Sequence, residues 1–510
     1  MNSYVNIFPQ ESLTHKIYKA EQVRKVEPVA AKQMGVAMYT LMERAGLAVF
    51  NCLRQRYAYA KKIVVLAGKG NNGGDAYVAA RLAHHQGVQV TLCEFADVER
   101  LSNDAKKARQ AWASLGISTT HWQDINFSDF DVCIDGLLGT GIQGEVTAPF
   151  SDVIEKVNNS SVPVMSIDIP SGLNADTGSV CGSAICAEQT ITFVGIKAGL
   201  VTGIGKQHTG VLHFDDLGIG DVFQRLADSK GRVFSFNDLH PLPKRELYSH
   251  KGNFGKLLCI GGNEGMSGAI RMSAEAAMRC GAGLVKVFCH PTNVAMVASG
   301  RPELMVMSDD EALKSALHWC DSIIIGPGLG TNVWASRILK LALDHALETH
   351  KALVVDADAL NLCAQDRKLV LPKHLAIITP HPAEAGRMLH TRVEEVERNR
   401  YQAVNELANR FDCVALLKGA GTIVASQGNL WVCENGNPGM ATAGMGDVLS
   451  GVLGGLLAQG MGLRLSAIYG MCLHSYAADL AVTGQGERGL LATDLLPFLR
   501  QLVNSAEIAV

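Results

Sequence analysis

The residues best suited to chemistry lie in a stretch of small side chains between Asn437 and Gly451. Gly444-Met-Gly-Asp447 opens an apolar run, Val448 to Leu457, that predicts a buried helix. A glycine turn at a helix N-terminus leaves backbone N–H groups unpaired, and such a point attracts phosphate. Because two anions repel, Asp447 is better suited to act as a base on a hydroxyl near the phosphate. The alternative is an ordinary helix start with an Asp cap.

Polar oxygens follow three apolar runs in the first half of the chain. Asn72 lies in Gly68-Lys-Gly-Asn-Asn-Gly-Gly-Asp75, while Asp135 and Ser171 each follow a different predicted strand. Such oxygens suit a hard cation, and a single carboxylate among them favours a monovalent ion over a divalent one. The glycine turn also has backbone N–H groups that suit a pyrophosphate.

Asp168 ends its own predicted strand in Asp-Ile-Pro-Ser-Gly, where Pro170 and Gly172 fix the backbone. It is therefore a candidate proton-transfer group. The alternative is that Asp135 and Asp168 only cap the helices that follow.

The second half has two further candidates. Thr379-Pro-His-Pro-Ala-Glu384 holds His381 between two prolines at a predicted strand end. Lys418-Gly-Ala-Gly-Thr422 follows an apolar run, and its lysine and glycine turn suit a nucleotide phosphate without the order of a Walker loop. The alternatives are a structural histidine and a hairpin turn with a solvated lysine.

Apolar runs and helical segments alternate along most of the 510 residues, which predicts an α/β protein with parallel sheets. A polar stretch around residues 221–250 suggests a linker, so we predict domains over 1–225 and 226–510. Ligands of open parallel sheets bind beyond the carboxyl ends of the strands, where these unusual residues fall. Two sites are therefore expected, one per half.

Composition restricts the partners. A net charge of −3 gives no electrostatic footprint for nucleic acid or an acidic membrane. The thirteen cysteines are scattered, often within apolar runs, and form no Cys-x-x-Cys pair, which is typical of reduced thiols in a cytoplasmic protein. We expect small-molecule substrates and a homo-oligomer.

The first half resembles the NAD(P)H-hydrate epimerase family at Gly68–Asp75, Asp135–Gly141 and Asp168–Asn174. The resemblance implies a Rossmann-like three-layer domain that equilibrates the R and S hydrates of NADH and NADPH at C6 of the nicotinamide. It implies a potassium ion on Asn72, Asp135 and Ser171. It also implies substrate contacts by Asn71, Asn72, Gly73, Gly74, Asp75, Gly139, Thr140, Gly141, Ile142, Gln143, Gly144, Glu145 and Asp168. The chain departs from the family at Ala76, where a glycine is expected, and at Ile196, where a proline is expected.

The second half resembles the ADP-dependent NAD(P)H-hydrate dehydratases, of ribokinase-like fold, over about residues 230–505. The segments that carry the resemblance are Lys251–Gly255, Thr379–Glu384, Lys418–Thr422 and Asn437–Ser450. It implies that ADP serves as phosphoryl donor with Mg²⁺ and that Asp447 is catalytic. The hydrated nucleotide would contact Ala269, Gly330, His381 and Asp447, and ADP would contact Lys418, Gly419, Ala420, Gly421, Thr422 and Gly446.

Two alternatives remain at this point. A ribokinase-like small-molecule kinase, of the hydroxymethylpyrimidine or sugar type, fused to a non-catalytic binding domain would use the same Gly-Met-Gly-Asp turn. An epimerase-like domain also occurs in mRNA-decapping scaffolds, where it mediates dimerisation. No single residue distinguishes ADP from ATP as donor.

Overall fold

The computed structural model describes residues 12–95, 99, 101–142 and 144–504. They form two compact units, 12–232 and 233–504, whereas the sequence suggested a boundary after residue 225. Residues 226–232 belong to the first unit because they form hydrogen bonds with its beginning. Gln22 Nε2 donates to the carbonyl of Asp228 (2.6 Å), and Ser229 Oγ donates to that of Ile17 (2.6 Å).

The first unit alternates strands and helices, as the pattern predicts. Its helices are α1 (Ala20–Gln33), α2 (Met38–Arg56), α3 (Asn71–His85), α4 (Asn103–Ala113), α5 (Phe150–Asn158), α6 (Gly203–Thr209) and α7 (Gly220–Leu226). Its strands are β1 (Lys16–Tyr18), β2 (Lys62–Ala67), β3 (Gln89–Glu94), β4 (Val132–Gly136), β5 (Val164–Ile167), β6 (Gln189–Phe193), β7 (Ile196–Lys197) and β8 (Val211–Asp215). The strand β9 (Gly231–Phe234) starts at its end.

The main sheet of this unit has the order β3-β2-β4-β5-β6-β8, and every pairing in it is parallel. One face is covered by α2, α3 and α4, whose apolar residues share a core with Ile63 and Val65 of β2. The other face packs Val64 and Leu66 against α5. Since alternate residues of a strand point to opposite faces, this gives the predicted three-layer arrangement.

The sequence predicts one helical segment over residues 15–57 and a further helix from Ala76 to about Gln86, and both predictions are wrong in part. A single helical segment over 15–57 is instead β1, α1 and α2, with a break at Gly35 (φ +68°). α3 begins at Asn71 rather than Ala76, because Gly73 and Gly74 are tight packing positions inside the helix. A Cβ on Gly73 would lie 2.0 Å from the Gly68 carbonyl oxygen, and one on Gly74 would lie 2.4 Å from Met42 Cε.

The second unit contains β10 (Lys256–Ile260), β11 (Leu284–Phe288), β12 (Met305–Met307), β13 (Ser322–Ile325), β14 (Ala352–Val355), β15 (Ala376–Ile378), β16 (Val414–Leu417), β17 (Ile423–Ser426) and β18 (Asn429–Cys433). Its helices are α8 (Ser267–Arg279), α9 (Val294–Gly300), α10 (Asp310–Trp319), α11 (Val333–Thr349), α12 (Ala357–Gln365), α13 (Pro382–Leu389), α14 (Val393–Arg398), α15 (Arg400–Phe411), α16 (Met445–Ala458), α17 (Leu463–Val482) and α18 (Leu495–Leu502).

These strands follow the order β12-β11-β10-β13-β14-β15-β16-β17-β18. Pairing is parallel from β12 to β16 and antiparallel between β16 and β17 and between β17 and β18. α8, α16 and α17 pack on the sheet in one large apolar core. The helix predicted over Val448–Leu457 is confirmed as the buried part of α16.

The predicted linker over 221–250 is only partly correct, because α7 and β9 lie within it; residues 239–250 have neither helix nor strand. Within the portion of the chain that is described, no helix is both long and apolar enough to cross a membrane.

Candidate active sites

In the first unit the loops that follow β2, β4 and β5 meet at the carboxyl edge of the sheet. Gly68 brings two of them together, since a Cβ there would lie 1.7 Å from the Leu137 carbonyl oxygen. The loops enclose a cavity of about 600 Å³. Its walls include the predicted site residues Asn71, Asn72, Asp75, Gly139, Thr140, Gly141, Ile142, Glu145 and Asp168.

Three of the described residues that were predicted to contact the substrate are not part of that wall. Gly73 and Gly74 face the sheet and α2 through their tight packing contacts, and Gly144 lies in the loop beyond the cavity lining. Gln143 lies outside the described residues.

The three oxygen-bearing residues form one hydrogen-bonded cluster. Ser171 Oγ donates to Asp135 Oδ1 (2.6 Å), and the carbonyl of Leu138 accepts from both Ser171 Oγ (3.2 Å) and Asn72 Nδ2 (3.2 Å). Asn72 Nδ2 also donates to the carbonyl of Ile167 (2.7 Å), which leaves Oδ1 facing Gly139. Burial raises the pKa of the fully buried Asp135 carboxyl, although four hydrogen bonds from its surroundings oppose this.

Asp168 is held at the end of β5 in a left-handed backbone conformation, with φ +63°. Such a conformation is strained for a residue with a side chain and is found most often at functional sites. Its Oδ1 accepts from Thr192 Oγ1 (3.1 Å), from the Phe193 N–H (3.3 Å) and, in an ion pair, from the ammonium of Lys197.

Two other carboxyl groups line the same cavity. Burial, together with the charges of Asp168 and Glu27, holds the pKa of Asp75 well above its ordinary value. Burial also raises the pKa of Glu27 on α1, and Lys197 opposes that shift. Asp75 and Glu27 therefore favour the neutral acid.

In the second unit the predicted glycine turn is the N-terminus of α16. Gly444 takes φ +89° as the residue before the helix, and Asp447 lies in the first turn. α8 fixes this turn, because Ser273 Oγ donates to the Asp447 carbonyl (2.8 Å).

Lys418 reaches that turn. A Cβ on Gly446 would lie 3.2 Å from Lys418 Nζ, and the ammonium is paired with Asp356 Oδ1 at 2.9 Å. Glu384 Oε2 lies 3.7 Å from the same ammonium. Burial lowers the pKa of Lys418, but the two carboxylates outweigh burial and leave that pKa raised.

Asp447 lies beside this network. Burial, then the negative charges of Asp356 and Asp358, raise its pKa to about 7, and the charge of Lys418 opposes them. A carboxyl with this pKa can lose and regain a proton near neutral pH, which is what a general base requires.

His381 begins α13 and is half-exposed. Its Nδ1 accepts from the N–H groups of Ala383 (3.1 Å) and Glu384 (3.4 Å), so the ring proton belongs on Nε2, 3.3 Å from Glu384 Oε1. Burial, with the charges of Lys418 and Arg387, lowers the pKa of His381. It is thus a neutral donor at the rim of the site.

Lys418–Thr422 is the turn between the antiparallel strands β16 and β17. The hairpin alternative was right about the backbone and wrong about the lysine, which is partly buried and held in ion pairs. Arg400, with 1% exposure, donates from Nη2 to the Lys418 carbonyl (3.0 Å) and lies against Gly419 (φ +139°). A fixed cation therefore lies beneath the turn.

Ala269 lies close to the loop that contains Gly328 and Gly330, and Gly330 is bonded to a carboxylate that acts on Asp447. A Cβ on Gly328 would lie 3.1 Å from the Ala269 Cβ, and the Gly330 N–H donates to Asp358 Oδ2 (2.8 Å). Asp358 is one of the charges that raise the pKa of Asp447. Gly330 is thus connected to Asp447 through Asp358.

The segment Lys251–Gly255 is the exception among the motifs of the resemblance. A Cβ on Gly255 would lie 1.9 Å from the carbonyl oxygen of Ala458, at the opposite end of α16 from Asp447. It supports the far end of that helix rather than the site.

Sequence reasoning missed Glu27, Lys197, Asp356, Asp358 and Arg400. Asp356 follows β14, so the rule that found Asp135 and Asp168 at strand ends applied to it equally. Lys197 and Arg400 carry no local signal, because their roles depend on partners far away in the chain.

Comparison with known proteins places this geometry in a family. A family pattern described as YjeF-related protein N-terminus matches residues 38–199, and one described as NAD(P)H-hydrate dehydratase matches residues 257–500. The bifunctional NAD(P)H-hydrate repair enzyme of Coxiella burnetii is 43% identical over 96% of this chain and 99% of the relative. The chain belongs to this family.

A second bifunctional NAD(P)H-hydrate repair enzyme, from Escherichia coli K12, is 43% identical over 97% of this chain and 95% of its own length. Among solved structures, a ribokinase-like superfamily protein from Enterococcus faecalis V583 matches with a TM-score of 0.50 and 30% identity. It covers 54% of this chain and 96% of that protein. The ribokinase-like fold predicted for the second half is confirmed.

Proposed function

We propose that this chain repairs hydrated NADH and NADPH in two steps. The first unit equilibrates the R and S hydrates at C6, and the second uses ADP to dehydrate the S hydrate, giving NADH or NADPH with AMP and phosphate. The observation that carries the proposal is Asp447, a carboxyl of pKa about 7 in the first turn of α16 beside Lys418.

In the second unit Asp447 removes the proton of the C6 hydroxyl. The oxygen attacks the terminal phosphorus of ADP, an O–P bond forms, and AMP leaves with the electron pair of the broken bond. The α16 N-terminus and Lys418 oppose the charge that develops on the phosphoryl group. The C6–O bond then breaks, phosphate departs, and loss of a proton from C5 completes the ring double bond.

ADP would lie against Lys418–Thr422 and Gly446, while Ala269, Gly330 and His381 would contact the hydrated nucleotide. The support is that Lys418 and Asp358 both act on Asp447, while Gly446 lies against Lys418 and Gly330 is bonded to Asp358. Mg²⁺ fits as an ion carried on the phosphates, because it binds through phosphate oxygens and one or two carboxylates. Asp356 and Glu384 are the carboxylates nearest Lys418. The ion would neutralise phosphate charge.

In the first unit Asp168 would face the reacting end of the hydrate, and the wall residues from Asn71 to Asp75 and Gly139 to Glu145 would hold the rest. Potassium would be held by Asn72 Oδ1, Asp135 and Ser171 Oγ. An all-oxygen set with one carboxylate suits that ion, and the shared Leu138 carbonyl keeps the set together.

The two alternatives lose their support. A kinase fused to a binding domain and a decapping scaffold each account for one half only, whereas the repair-enzyme relatives match 96% and 97% of this chain.

The test uses purified R hydrate with the full chain, followed by the absorbance of reduced nicotinamide. We expect the absorbance to appear with ADP, to appear more slowly with ATP, and not to appear without nucleotide. Formation of phosphorylated hydrate that is never converted to NADH would instead support a kinase.

Location and assembly complete the proposal. The thirteen cysteines all lie among the described residues and none of them forms a disulfide, which supports the predicted cytoplasmic location. Leu247 and Tyr248 are fully exposed, at 108% and 99%, and a second copy of the chain would cover them. Light scattering of the wild type and of Leu247→Ser would test the homo-oligomer.

A further inference from the structure

The first cavity contains an unusual set of charges. Glu27 on α1, Asp75 on α3, Asp168 after β5 and Lys197 on β7 all line it, so three carboxyl groups share one cation. The remaining charged side chains of the wall are two cations and two carboxylates, which cancel: Arg24, Lys69, Asp104 and Glu145. Because one cation can balance only one carboxylate, the quartet favours the neutral form of its other two carboxyl groups, Asp75 and Glu27.

Lys197 is fixed, with 2% exposure. Its ammonium donates to Asp168 Oδ1, to Thr192 Oγ1 (3.2 Å) and to the Phe193 carbonyl (2.9 Å). An ammonium has three N–H donors, and all three are used. Lys197 thus has no donor left for a substrate, and its charge acts through Asp168.

Asp168 has one carboxylate oxygen that can take part in a reaction. Its three hydrogen bonds all reach Oδ1, and no hydrogen bond from a described residue reaches Oδ2. The side chain lines the cavity with 14% exposure. A carboxylate with one oxygen anchored and the other facing a cavity is arranged to accept a proton there.

Asp75 is the complementary group. It is 7% exposed and lines the cavity, and no described residue donates a hydrogen bond to its carboxyl. A buried ionised carboxylate without a partner is costly, whereas a neutral carboxyl can donate to a ligand. The nearby Asp168 and Glu27 further oppose its ionisation.

We infer that Asp75 and Asp168 are an acid–base pair that shares one proton across the reacting carbon, with Lys197 as the positioning residue that anchors Asp168 Oδ1. This inference rests on the epimerase function proposed above. It identifies Asp75 as the proton donor and Lys197 as the counter-charge of Asp168, two roles that the sequence motifs of the first half do not indicate.

The step balances. Asp75 gives its proton to the C6 hydroxyl, the C6–O bond breaks with its electron pair on oxygen, and water leaves. The ring nitrogen supplies the pair that makes the C6–N bond double. Water then adds to the opposite face of C6 and gives its proton to Asp168. One proton has thereby moved from Asp75 to Asp168. The reverse epimerisation therefore starts with Asp168 protonated and Asp75 ionised.

The experiment measures consumption of the R hydrate by the full chain as a function of pH, with the rate of S-hydrate dehydration in the same sample as an internal reference. The uncatalysed rate is subtracted. Asp75→Asn is expected to slow R-hydrate consumption by about 10²–10⁴-fold, the usual contribution of a general acid or base, with S-hydrate dehydration unchanged.

Lys197→Met tests the positioning role. A pair that shares one proton gives a bell-shaped pH profile. Because the charge of Lys197 lowers the pKa of Asp75, its removal should move the alkaline limb of the profile to higher pH. Lys197→Arg should move the profile back towards that of wild type, and Lys32→Met, on the exposed face of α1, should leave it unchanged. Circular dichroism shows whether each variant is folded.

Three results separate the outcomes. Wild-type protein that does not accelerate R-hydrate consumption would refute the epimerase proposal itself. An active wild type with Asp75→Asn within about threefold of it would refute the acid role, and Glu27→Gln would then show whether Glu27 holds the proton. A folded Lys197→Met variant that is slower at every pH without a shifted profile would refute the positioning role.

Discussion

At the scale of single residues, each site depends on a carboxyl whose ionisation is set by its neighbours. Asp447 has its pKa raised to about 7 by burial and by Asp356 and Asp358. Lys418 opposes these charges. In the proposed reaction the same cation would also face the transferred phosphoryl group, so it would serve both the base and the phosphate.

The pH dependence of dehydration follows from this. Asp447 acts as the ionised base, so the rate is expected to fall about tenfold per unit as pH drops below about 7 and to level off above it. The measurement is the S-hydrate dehydration rate with saturating ADP. A rate that stays constant from one unit above to one unit below that pH would contradict the role of Asp447.

Lys418→Met should have two effects. Loss of the charge beside the phosphoryl is expected to lower kcat by about 10²–10³-fold. The acidic limb of the pH profile, where the rate falls as pH drops, should also move to higher pH, because Lys418 lowers the pKa of Asp447. Lys373→Met, which removes an exposed lysine, is the control. An unshifted limb would show that the two groups do not interact.

At the scale of elements, α8 and α16 position the second site by packing backbone against backbone. A Cβ on Gly451 would lie 2.2 Å from the Ser273 carbonyl oxygen, and one on Gly455 would lie 2.8 Å from that of Ala277. Ser273 also bonds to the Asp447 carbonyl. The spacing of the two helices therefore determines where Asp447 lies relative to Ala269.

Gly451→Ala is expected to destabilise the second unit by about 1–3 kcal/mol, the typical cost of overpacking, and to slow dehydration. Thermal unfolding and the S-hydrate assay measure the two effects. The matched control is Gly462→Ala, where an added Cβ meets nothing within 4 Å. Equal effects of the two substitutions would contradict the packing account.

Helices and strands could be predicted from the sequence wherever a local pattern of apolar or small residues determines them. The apolar runs at Lys62–Ala67 and Lys256–Ile260 are strands, and the small-residue run after Asp447 is a buried helix. The start of α3 was predicted too late because Gly73 and Gly74 are required by close contacts with Gly68 and with α2. Such contacts between segments cannot be read from the local sequence. Arg400 and Lys197 were missed for the same reason: the carbonyl and carboxylate that hold them come from distant segments.

At the scale of the whole molecule, the two units each bring their own set of loops to a strand edge, and the proposed reactions follow in series. The product of the first is the substrate of the second. Among the described residues the two sets of site residues do not overlap, so we expect each activity to be lost separately.

Nucleotide binding should follow the same division. ADP at about 100 times its Kd is expected to stabilise the second unit by about 2.7 kcal/mol and to leave the unfolding of the first unchanged. Differential scanning calorimetry of the full chain, with Lys418→Met as the control that loses the shift, makes this measurement. Equal stabilisation of both units by ADP would contradict a single nucleotide site on the second.

The most direct test of the central claim compares Asp447→Asn and Asp168→Asn in the full chain, given a mixture of R and S hydrates with ADP. Chiral separation of the hydrates and the absorbance of reduced nicotinamide are followed together. We predict that Asp447→Asn interconverts the epimers but forms no NADH, and that Asp168→Asn converts the S hydrate at the wild-type rate while the R hydrate persists. Unchanged dehydration by Asp447→Asn would contradict the account.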